Sequence, residues 1–169
     1  LTVRPRQTAF SDYLEPADAK AIRAYDVDVA LRFGFRILRG DFLKIARYGV
    51  WSYHHGDNLV NRGGPPGFWE VMEGQPATGS VLQVMSERLD AGQVIYRSWA
   101  GTDPFSVSRN KNNYYWKSAA FVMRRLRDLH EAGPAGLAAD GSIDGAQPYY
   151  ERLYVQPRNR EMLRLLPTW

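Results

Sequence analysis

The sequence contains no cysteine, and this absence excludes several kinds of chemistry at once. Disulfide bonds, thiolate nucleophiles and cysteine-ligated metals all require a thiol, so none of them operates in this chain. The sequence also lacks a run of about 18 apolar residues, the length that a membrane-spanning helix needs. Its first residues do not form the basic and then apolar pattern of a signal peptide. These absences predict a cytoplasmic protein in a reducing environment.

The charge of the chain is mildly positive and widely spread. Its 169 residues carry a net charge of +4 and a pI of about 9.4, with 24% charged and 44% hydrophobic residues. This composition is typical of one globular domain. Nucleic-acid binding needs clustered Lys and Arg, and the one cluster is Arg124, Arg125 and Arg127, a triplet typical of a solvated helix face. A nucleic-acid partner such as tRNA is therefore the weaker expectation.

Helix and strand patterns alternate along the first part of the chain. Residues 15–23 and 42–47 are predicted as short helices, and residues 27–31 and 50–54 as strands. Such alternation with short connections indicates a parallel sheet covered by helices. Ligands of these sheets bind at the carboxyl ends of the strands, which here fall near residues 32–34 and 54–57.

The remaining pattern adds a hairpin-like pair of strands and a long helix. A helix is predicted at residues 66–72, strands at 78–86 and 93–99, and one helix from 109 to about 130. The apolar stripe of that last helix is predicted to face the core, and it consists of Tyr115, Ala119, Val122, Leu126 and Leu129. We expect a catalytic domain over residues 1–131 and a C-terminal extension, residues 132–169, that packs on it.

His54 and His55 are the first candidates for chemistry, because they end a predicted strand beside Asp57. Adjacent strand residues point to opposite faces, which makes a shared metal ion difficult. A histidine oriented by a carboxylate from elsewhere would serve acid–base catalysis. The remaining interpretation is a pair of loop histidines with local hydrogen bonds, and the residues alone favour it.

Two loop segments are ambiguous when taken alone. Asp90 lies in a predicted turn, where an Asp side chain usually bonds nearby backbone N–H groups. The glycines of residues 62–66 permit a ligand to approach the backbone, or simply make a turn. Spacing alone assigns no catalytic role to either segment.

Five segments follow one another in a recognisable order between residues 26 and 95. They are VDVALRFGFRIL at 27–38, GVWSYH at 49–54, Arg62-Gly63 with Pro66 and Trp69, Thr78-Gly79, and LDAG at 89–92. Together they resemble the formyltransferase family, which includes methionyl-tRNA, glycinamide-ribonucleotide and amino-sugar formyltransferases. The second segment resembles the family's catalytic strand, usually Gly-x-x-Asn-x-His. The resemblance covers 70 of the 169 residues.

The resemblance implies a fold and a site. The fold is α/β, a three-layer sandwich with a mostly parallel, twisted sheet of the Rossmann-like formyltransferase type. His54 is implied as the catalytic histidine, Asp90 as its carboxylate partner, and Ser52 occupies the position of the family's Asn. The folate-side residues are implied to be Arg32, Phe33, Gly34, Phe35, Glu87, Arg88 and Leu89. The acceptor side is expected to include His55, Asp57, Asn58, Asn61 and Arg62.

The implied activity is transfer of a formyl group from 10-formyltetrahydrofolate to a primary amine of a small molecule or sugar, without a metal. The amine attacks an amide-like carbonyl and forms a tetrahedral oxyanion, which needs a hydrogen-bond donor and a group that moves protons. Two alternatives stay open. Water is the formyl acceptor in the first, and in the second the chain is a non-catalytic relative that binds a ligand or partner.

The departures from the family pattern concern both substrates. The side chain of serine is shorter than that of asparagine. If no other group replaces the missing Asn donor at position 52, the transition state loses about 2–4 kcal/mol of stabilisation. Ser52 itself, His55, Asn58 or Asn61 could replace it. HGDNL at residues 55–59 stands where the family has Ser and then Leu-Pro, which indicates another acceptor, and Asp57 would suit an amino sugar. About 25 residues precede the first matching strand, so we expect a shortened N-terminal half.

Overall fold

The computed structural model describes residues 1–60, 62–89, 92–137 and 153–164, in which short strands alternate with helices. The strands are β1 (Arg6–Gln7), β2 (Ser11–Tyr13), β3 (Ala30–Leu31), β4 (Ile37–Arg39), β5 (Val50–His54), β6 (Arg62–Gly63), β7 (Ala77–Val84), β8 (Gln93–Gly101) and β9 (Leu153–Tyr154). The helices are α1 (Pro16–Arg23), α2 (Trp69–Met72), α3 (Val107–Ser118), α4 (Phe121–Ala132) and α5 (Asn159–Leu163). Single 3₁₀ helices occupy Gly40–Lys44 and Gly133–Leu137.

Three of the four strand pairs with a described register are parallel. Among the described residues they form sheets in the orders β1-β2-β4, β3-β5-β7-β8 and β6-β9. The pairs β2–β4, β3–β5 and β6–β9 are parallel, whereas β1 and β2 are antiparallel. In the β3–β5 pair, Ala30 lies opposite Val50 and Leu31 opposite Trp51. Parallel strands joined through helices confirm the predicted α/β class.

The chain divides into two compact units. The first unit comprises Leu1–Tyr53 and Gln83–Val94, and the second comprises His54–Leu82 and Ile95–Trp169. The predicted domain boundary at residue 131 and the packing of residues 132–169 stay predictions, because residues 138–152 and 165–169 lie outside the described part.

The core of the first unit is built from short apolar segments of helices and strands. Its buried members are Leu14, Ala19, Leu38, Phe42 and Val50. Ala19 faces this core from α1, a helix that begins at Pro16, where the missing N–H costs nothing. Burial of a side chain such as Leu38 or Phe42 contributes about 1.5–3 kcal/mol.

An ion pair with a buried carboxylate fixes the segment that enters β4. Asp12 on β2 is 2% exposed, and its carboxylate accepts from Arg36 Nε at 3.0 Å and from Nη2 at 2.6 Å. The backbone N–H of Arg36 donates to the same carboxylate at 3.2 Å. These charge-assisted bonds satisfy a carboxylate that would be costly to bury alone. The loop before β4 is therefore held firmly against β2.

The second unit is organised around α3 and its buried polar side chain Asn110. Ser106 caps this helix by accepting from the backbone N–H of Arg109 at 3.2 Å. Asn110 is fully buried, and its Nδ2 donates to the carbonyl of Gly67 at 3.1 Å and to the hydroxyl of Thr78 at 3.0 Å. These bonds join α3 to the loop before α2 and to β7. Phe68 and Val71 form an apolar cluster close by.

The long helix predicted from residue 109 to about 130 is two helices, α3 and α4, separated at Ala119 and Ala120. The predicted stripe was wrong in α3, where Tyr115 is 49% exposed and Ala119 is exposed, whereas Tyr114 is 1% exposed. The hydroxyl of Ser118 donates to the carbonyl of Tyr115 at 3.1 Å, a side-chain bond that competes with the helical pattern. In α4, Val122 is buried as predicted.

Other differences lie at element ends. The strand predicted at 27–31 is regular only at Ala30–Leu31, and the helix predicted at 42–47 is the 3₁₀ helix Gly40–Lys44. The strands β1, β2 and β4 were not predicted. In the described ranges, none of the helices has the length and apolar character to cross a membrane.

Candidate functional site

The first unit contains an open cavity of about 70 Å³. Polar groups from three separate segments line it: Arg32 from the loop after β3, Ser52 from β5, and Gln83 with Arg88 from β7 and the turn after it. Leu89 lies beside Arg88, and Ile37, Leu38 and Met85 supply apolar surface. Small-molecule sites typically combine apolar surface with a few convergent polar groups, as this wall does.

Arg32 is held by its own loop and by β5. Its Nε donates to the carbonyl of Arg36 at 3.2 Å, and its Nη2 donates to the carbonyls of Phe35 and, at 2.9 Å, Arg36. Its Nη1 donates to Ser52 Oγ at 3.1 Å. Because a guanidinium is planar and its donors point in fixed directions, these bonds hold the positive charge in one orientation at the cavity wall.

The hydroxyl of Ser52 both accepts and donates a hydrogen bond. Its Oγ accepts from Arg32 and donates to the carbonyl of Tyr53 at 3.2 Å. A hydroxyl has a single hydrogen, so this donation uses it. Ser52 lines the cavity mainly as an acceptor for the Arg32 charge.

The other residues expected on the folate side, Phe33, Gly34, Phe35 and Glu87, do not line the cavity. Phe33 is 65% and Phe35 41% exposed, and the ring of Phe35 packs on that of Phe42 with centroids 5.8 Å apart. Gly34 adopts a φ of +74°, which favours glycine at this turn. Glu87 ties the turn after β7 to the 3₁₀ helix after β4, because its Oε1 accepts from the backbone N–H of Gly40 at 2.9 Å.

His54 ends β5 and is 9% exposed. Its predicted partner Asp90, and Asn61 from the predicted acceptor side, lie outside the described residues. The pairing of His54 with Asp90 and the role of Asn61 therefore stay predictions. Arg62 is half-buried in β6, opposite Leu153.

His55 lies among aromatic rings in the second unit. Its ring stacks on Tyr114 with centroids 5.0 Å apart and meets the ring of Tyr115 at 4.4 Å, and its Nε2 is 3.2 Å from Ser118 Oγ. Burial, and next the charge of neighbouring His54, lower the pKa of His55 to about 4. His55 is therefore neutral at pH 7. Two neighbouring histidines thus differ in environment.

Asp57 and Asn58, both expected on the acceptor side, bind side chains of β8. The carboxylate of Asp57 accepts from Arg97 Nη1, from Trp99 Nε1 at 2.9 Å and from the backbone N–H of Leu59 at 3.0 Å. Asn58 Oδ1 accepts from Arg97 Nη2 at 2.7 Å. These bonds anchor the loop after β5 and use most of the acceptors that its polar side chains offer.

Sequence reasoning missed Gln83 and Arg97. Gln83 is 5% exposed and lines the cavity of the first unit. The signal available in the sequence was a lone amide inside the apolar run Val81 to Met85. Arg97 has a side chain that is 5% exposed, and its role depends on Asp57, 40 residues earlier. Within the described ranges, no three His, Asp or Glu side chains gather as a metal site would need.

Comparison with known proteins gives sequence matches to methionyl-tRNA formyltransferases. No protein-family model matches the chain. The methionyl-tRNA formyltransferase of Chlorobium chlorochromatii is 30% identical over 146 residues, which are 84% of this chain and 46% of that relative. The chain spans less than half the length of the methionyl-tRNA formyltransferases that it matches.

Solved structures of the same fold cover most of the chain. HypX from Aquifex aeolicus superposes with a TM-score of 0.63 at 18% identity, over 84% of this chain and 24% of that chain. The formyltransferase PseJ from Anoxybacillus kamchatkensis, in complex with UDP-4,6-dideoxy-4-formamido-L-AltNAc and tetrahydrofolate, superposes with a TM-score of 0.57 at 18% identity. That match covers 83% of this chain and 70% of PseJ. By sequence and by fold together, the chain carries a domain of the formyltransferase family.

Proposed function

We propose that this chain transfers the formyl group of 10-formyltetrahydrofolate to a primary amine of a small-molecule or sugar acceptor. The observation that carries the proposal is the cavity of the first unit, where Arg32, Ser52, Arg88 and Leu89 meet. From the family pattern, Arg32, Arg88 and Leu89 were expected to bind the folate, and Ser52 was expected near the reacting formyl group. Convergence of such residues in one cavity supports a folate site.

The relatives support the same donor. The relatives described above are methionyl-tRNA formyltransferases, and the similar structure of PseJ contains tetrahydrofolate. The side chain of Arg32 lies at the wall of the cavity proposed to bind the folate.

The reaction assigned to the site is an acyl transfer. The amine nitrogen attacks the formyl carbon and forms a new C–N bond, while the carbonyl electron pair moves to oxygen. Collapse of this oxyanion breaks the bond to N10 of the folate, and a proton from the amine ends on N10. We assign this proton movement to His54 with Asp90 as its partner, the arrangement that the family pattern implies.

We assign only the chemical class of the acceptor, which is a primary amine. Asp57 was expected to bind it, and the carboxylate of Asp57 is engaged by Arg97 and Trp99. An acceptor that used this carboxylate would have to displace one of them. Candidate acceptors for testing are those in the names of the relatives: methionyl-tRNA, glycinamide ribonucleotide and a UDP-linked amino sugar.

Release of tetrahydrofolate tests the proposal. The full chain is incubated with 10-formyltetrahydrofolate, and free tetrahydrofolate is followed with each amine and with none. The proposal expects release that depends on one of the amines and formation of its N-formyl product. Release without any amine would establish a hydrolase instead. No release, together with no tetrahydrofolate binding by calorimetry, would leave a binding relative of the fold and reject the proposal.

A further inference from the structure

Gln83 has a buried side-chain amide, and one of its polar atoms lacks a hydrogen-bond partner among the described residues. It lies near the end of β7, is 5% exposed, and its Oε1 has no hydrogen-bond partner within the part of the chain that is described. The amide lines the cavity of the first unit together with Ser52 and Arg32. The two orientations of the amide exchange Oε1 and Nε2, so the reversed orientation places Nε2–H at the position without a partner.

Such an amide needs an explanation, because the sequence around it is apolar. Its neighbours Val81 and Leu82 are fully buried. An apolar side chain of the same length would fill the space without desolvating a polar group. A buried polar atom without a partner usually marks a position that a ligand or water completes. Here the ligand would have to enter the cavity that Gln83 lines.

Of the other groups suggested as a donor to the oxyanion, Ser52 and His55 have partners, Asn58 does not line the cavity, and Asn61 lies outside the described residues. The single hydrogen of Ser52 goes to the carbonyl of Tyr53, and His55 Nε2 lies at Ser118 Oγ. Asn58 holds Arg97. Gln83 carries the same functional group as the Asn that the family pattern has at the position of Ser52, and it lines the same cavity as Ser52.

We propose that Gln83 supplies the N–H that binds the oxyanion during formyl transfer. An amide on β7 then replaces the Asn that the family pattern has on β5. This inference rests on the proposed function. When the amine attacks, the carbonyl electron pair moves to oxygen, and Nε2–H of Gln83 donates to that oxygen. When the C–N10 bond breaks, the carbonyl reforms and the hydrogen bond weakens. Gln83 neither gains nor loses a proton, and it stabilises charge that exists only between the two steps.

A pair of variants tests this role. Gln83→Met keeps the length of the side chain and removes its hydrogen bonds. We expect kcat to fall about 10²- to 10³-fold, the loss typical of one missing oxyanion donor. The Kd for tetrahydrofolate, which has no formyl group, should be unchanged. The thermal midpoint should stay equal or rise, because an incompletely bonded amide leaves the core.

Restoring the amide at its family position provides the second measurement. The double variant Ser52→Asn with Gln83→Met should have a kcat at least about tenfold above that of Gln83→Met alone, since one oxyanion donor contributes more than a factor of ten. A role of Gln83 in packing alone would not respond to an amide on another strand. Ser80→Ala is the matched control: Ser80 Oγ is also buried without a partner in the described residues, and it lies on the opposite face of β7. It should keep kcat.

The outcomes separate this inference from the proposed function. If the wild-type chain releases no tetrahydrofolate with any amine, the proposed function fails and the inference fails with it. If the wild type is active and Gln83→Met retains its kcat, only the inference fails. A variant that loses tetrahydrofolate binding along with kcat, or that Ser52→Asn does not rescue, would also overturn it.

Discussion

The guanidinium of Arg32 donates a hydrogen bond to the hydroxyl of Ser52 at 3.1 Å, across 20 residues of sequence. This bond joins the loop after β3 to β5 at the wall of the cavity. It also places a fixed positive charge beside the position where the family pattern has an asparagine. The serine and the arginine are therefore best understood as a pair, because the hydroxyl accepts from the cation instead of donating into the cavity.

Replacement of Arg32 should loosen this wall. In Arg32→Ala the carbonyls of Phe35 and Arg36 and the hydroxyl of Ser52 all lose a donor. We expect tetrahydrofolate to bind roughly tenfold more weakly, since a disordered loop must be ordered on binding. Arg32→Lys should not restore affinity, because one ammonium cannot span three acceptors in the plane of a guanidinium. Calorimetric titration with tetrahydrofolate measures both.

Arg23 gives a control in the same unit. Its pair with Asp41 is exposed at 3.6 Å, and Arg23→Ala should leave the affinity for tetrahydrofolate unchanged. If Arg32→Ala binds tetrahydrofolate as tightly as the wild type, the loop is not part of the folate site.

His54 and His55 should differ sharply in their effect on turnover. His54→Ala should lower kcat about 10²- to 10⁴-fold if His54 moves the proton in formyl transfer. His55→Gln keeps a nitrogen near Ser118 and should retain most of the activity, because the His55 ring packs between Tyr114 and Tyr115. Amine-dependent release of tetrahydrofolate is the measurement. Equal losses in the two variants would reject the assignment of His54.

Features with local signals were predictable from the sequence. The helix at Pro16–Arg23 and the strand at Val50–His54 lie within one residue of their predicted bounds, because a proline and an apolar run mark them directly. Strands β1 and β2 are only two and three residues long, too short for any periodicity. They are stabilised by partners such as Arg36 that are distant in the sequence.

The candidate site was predictable only in part, for a similar reason. The family pattern identified Arg32, Ser52, Arg88 and Leu89, which do line one cavity. It could not show that the Ser52 hydrogen is used by the Tyr53 carbonyl, nor that Gln83 is buried at the same cavity. Those facts depend on side-chain directions and on non-local packing, which one sequence does not contain.

Asp57 should matter more for stability than for binding the acceptor. Arg97 has a side chain that is 5% exposed, and Asp57→Asn leaves its buried charge without a carboxylate. We expect the free energy of unfolding to fall by about 3 kcal/mol. Adding Arg97→Met should recover part of the loss, because the isolated charge is then removed as well. Urea unfolding at pH 7 measures each variant.

An exposed ion pair provides the comparison for Asp57. Asp28 pairs with Arg47 at 2.9 Å, and both side chains are more than half exposed. Asp28→Asn should cost less than about 1 kcal/mol. A variant Asp57→Asn that unfolds like the wild type but loses turnover with an amine would instead assign Asp57 to the acceptor.

Acid should destabilise the fold through His55. The pKa of His55 is about 4 in the folded chain, below its ordinary value of 6.5, because burial and the His54 charge disfavour the protonated ring. Between pH 6.5 and 4 the unfolded chain therefore binds a proton that the folded chain does not. The free energy of unfolding should fall through this window, by roughly 3 kcal/mol in total, and change no further from this group below pH 4.

The facing Tyr114 does not offset this effect, because burial raises the pKa of its hydroxyl away from this range. His55→Gln removes the titrating ring while it keeps a donor near Ser118 Oγ. Urea unfolding of both proteins at pH 7 and pH 4.5 measures the difference. The wild type should lose clearly more stability than the variant over this interval. Equal losses would mean that the imidazole of His55 is protonated as readily in the folded chain as in the unfolded one, and would reject this account.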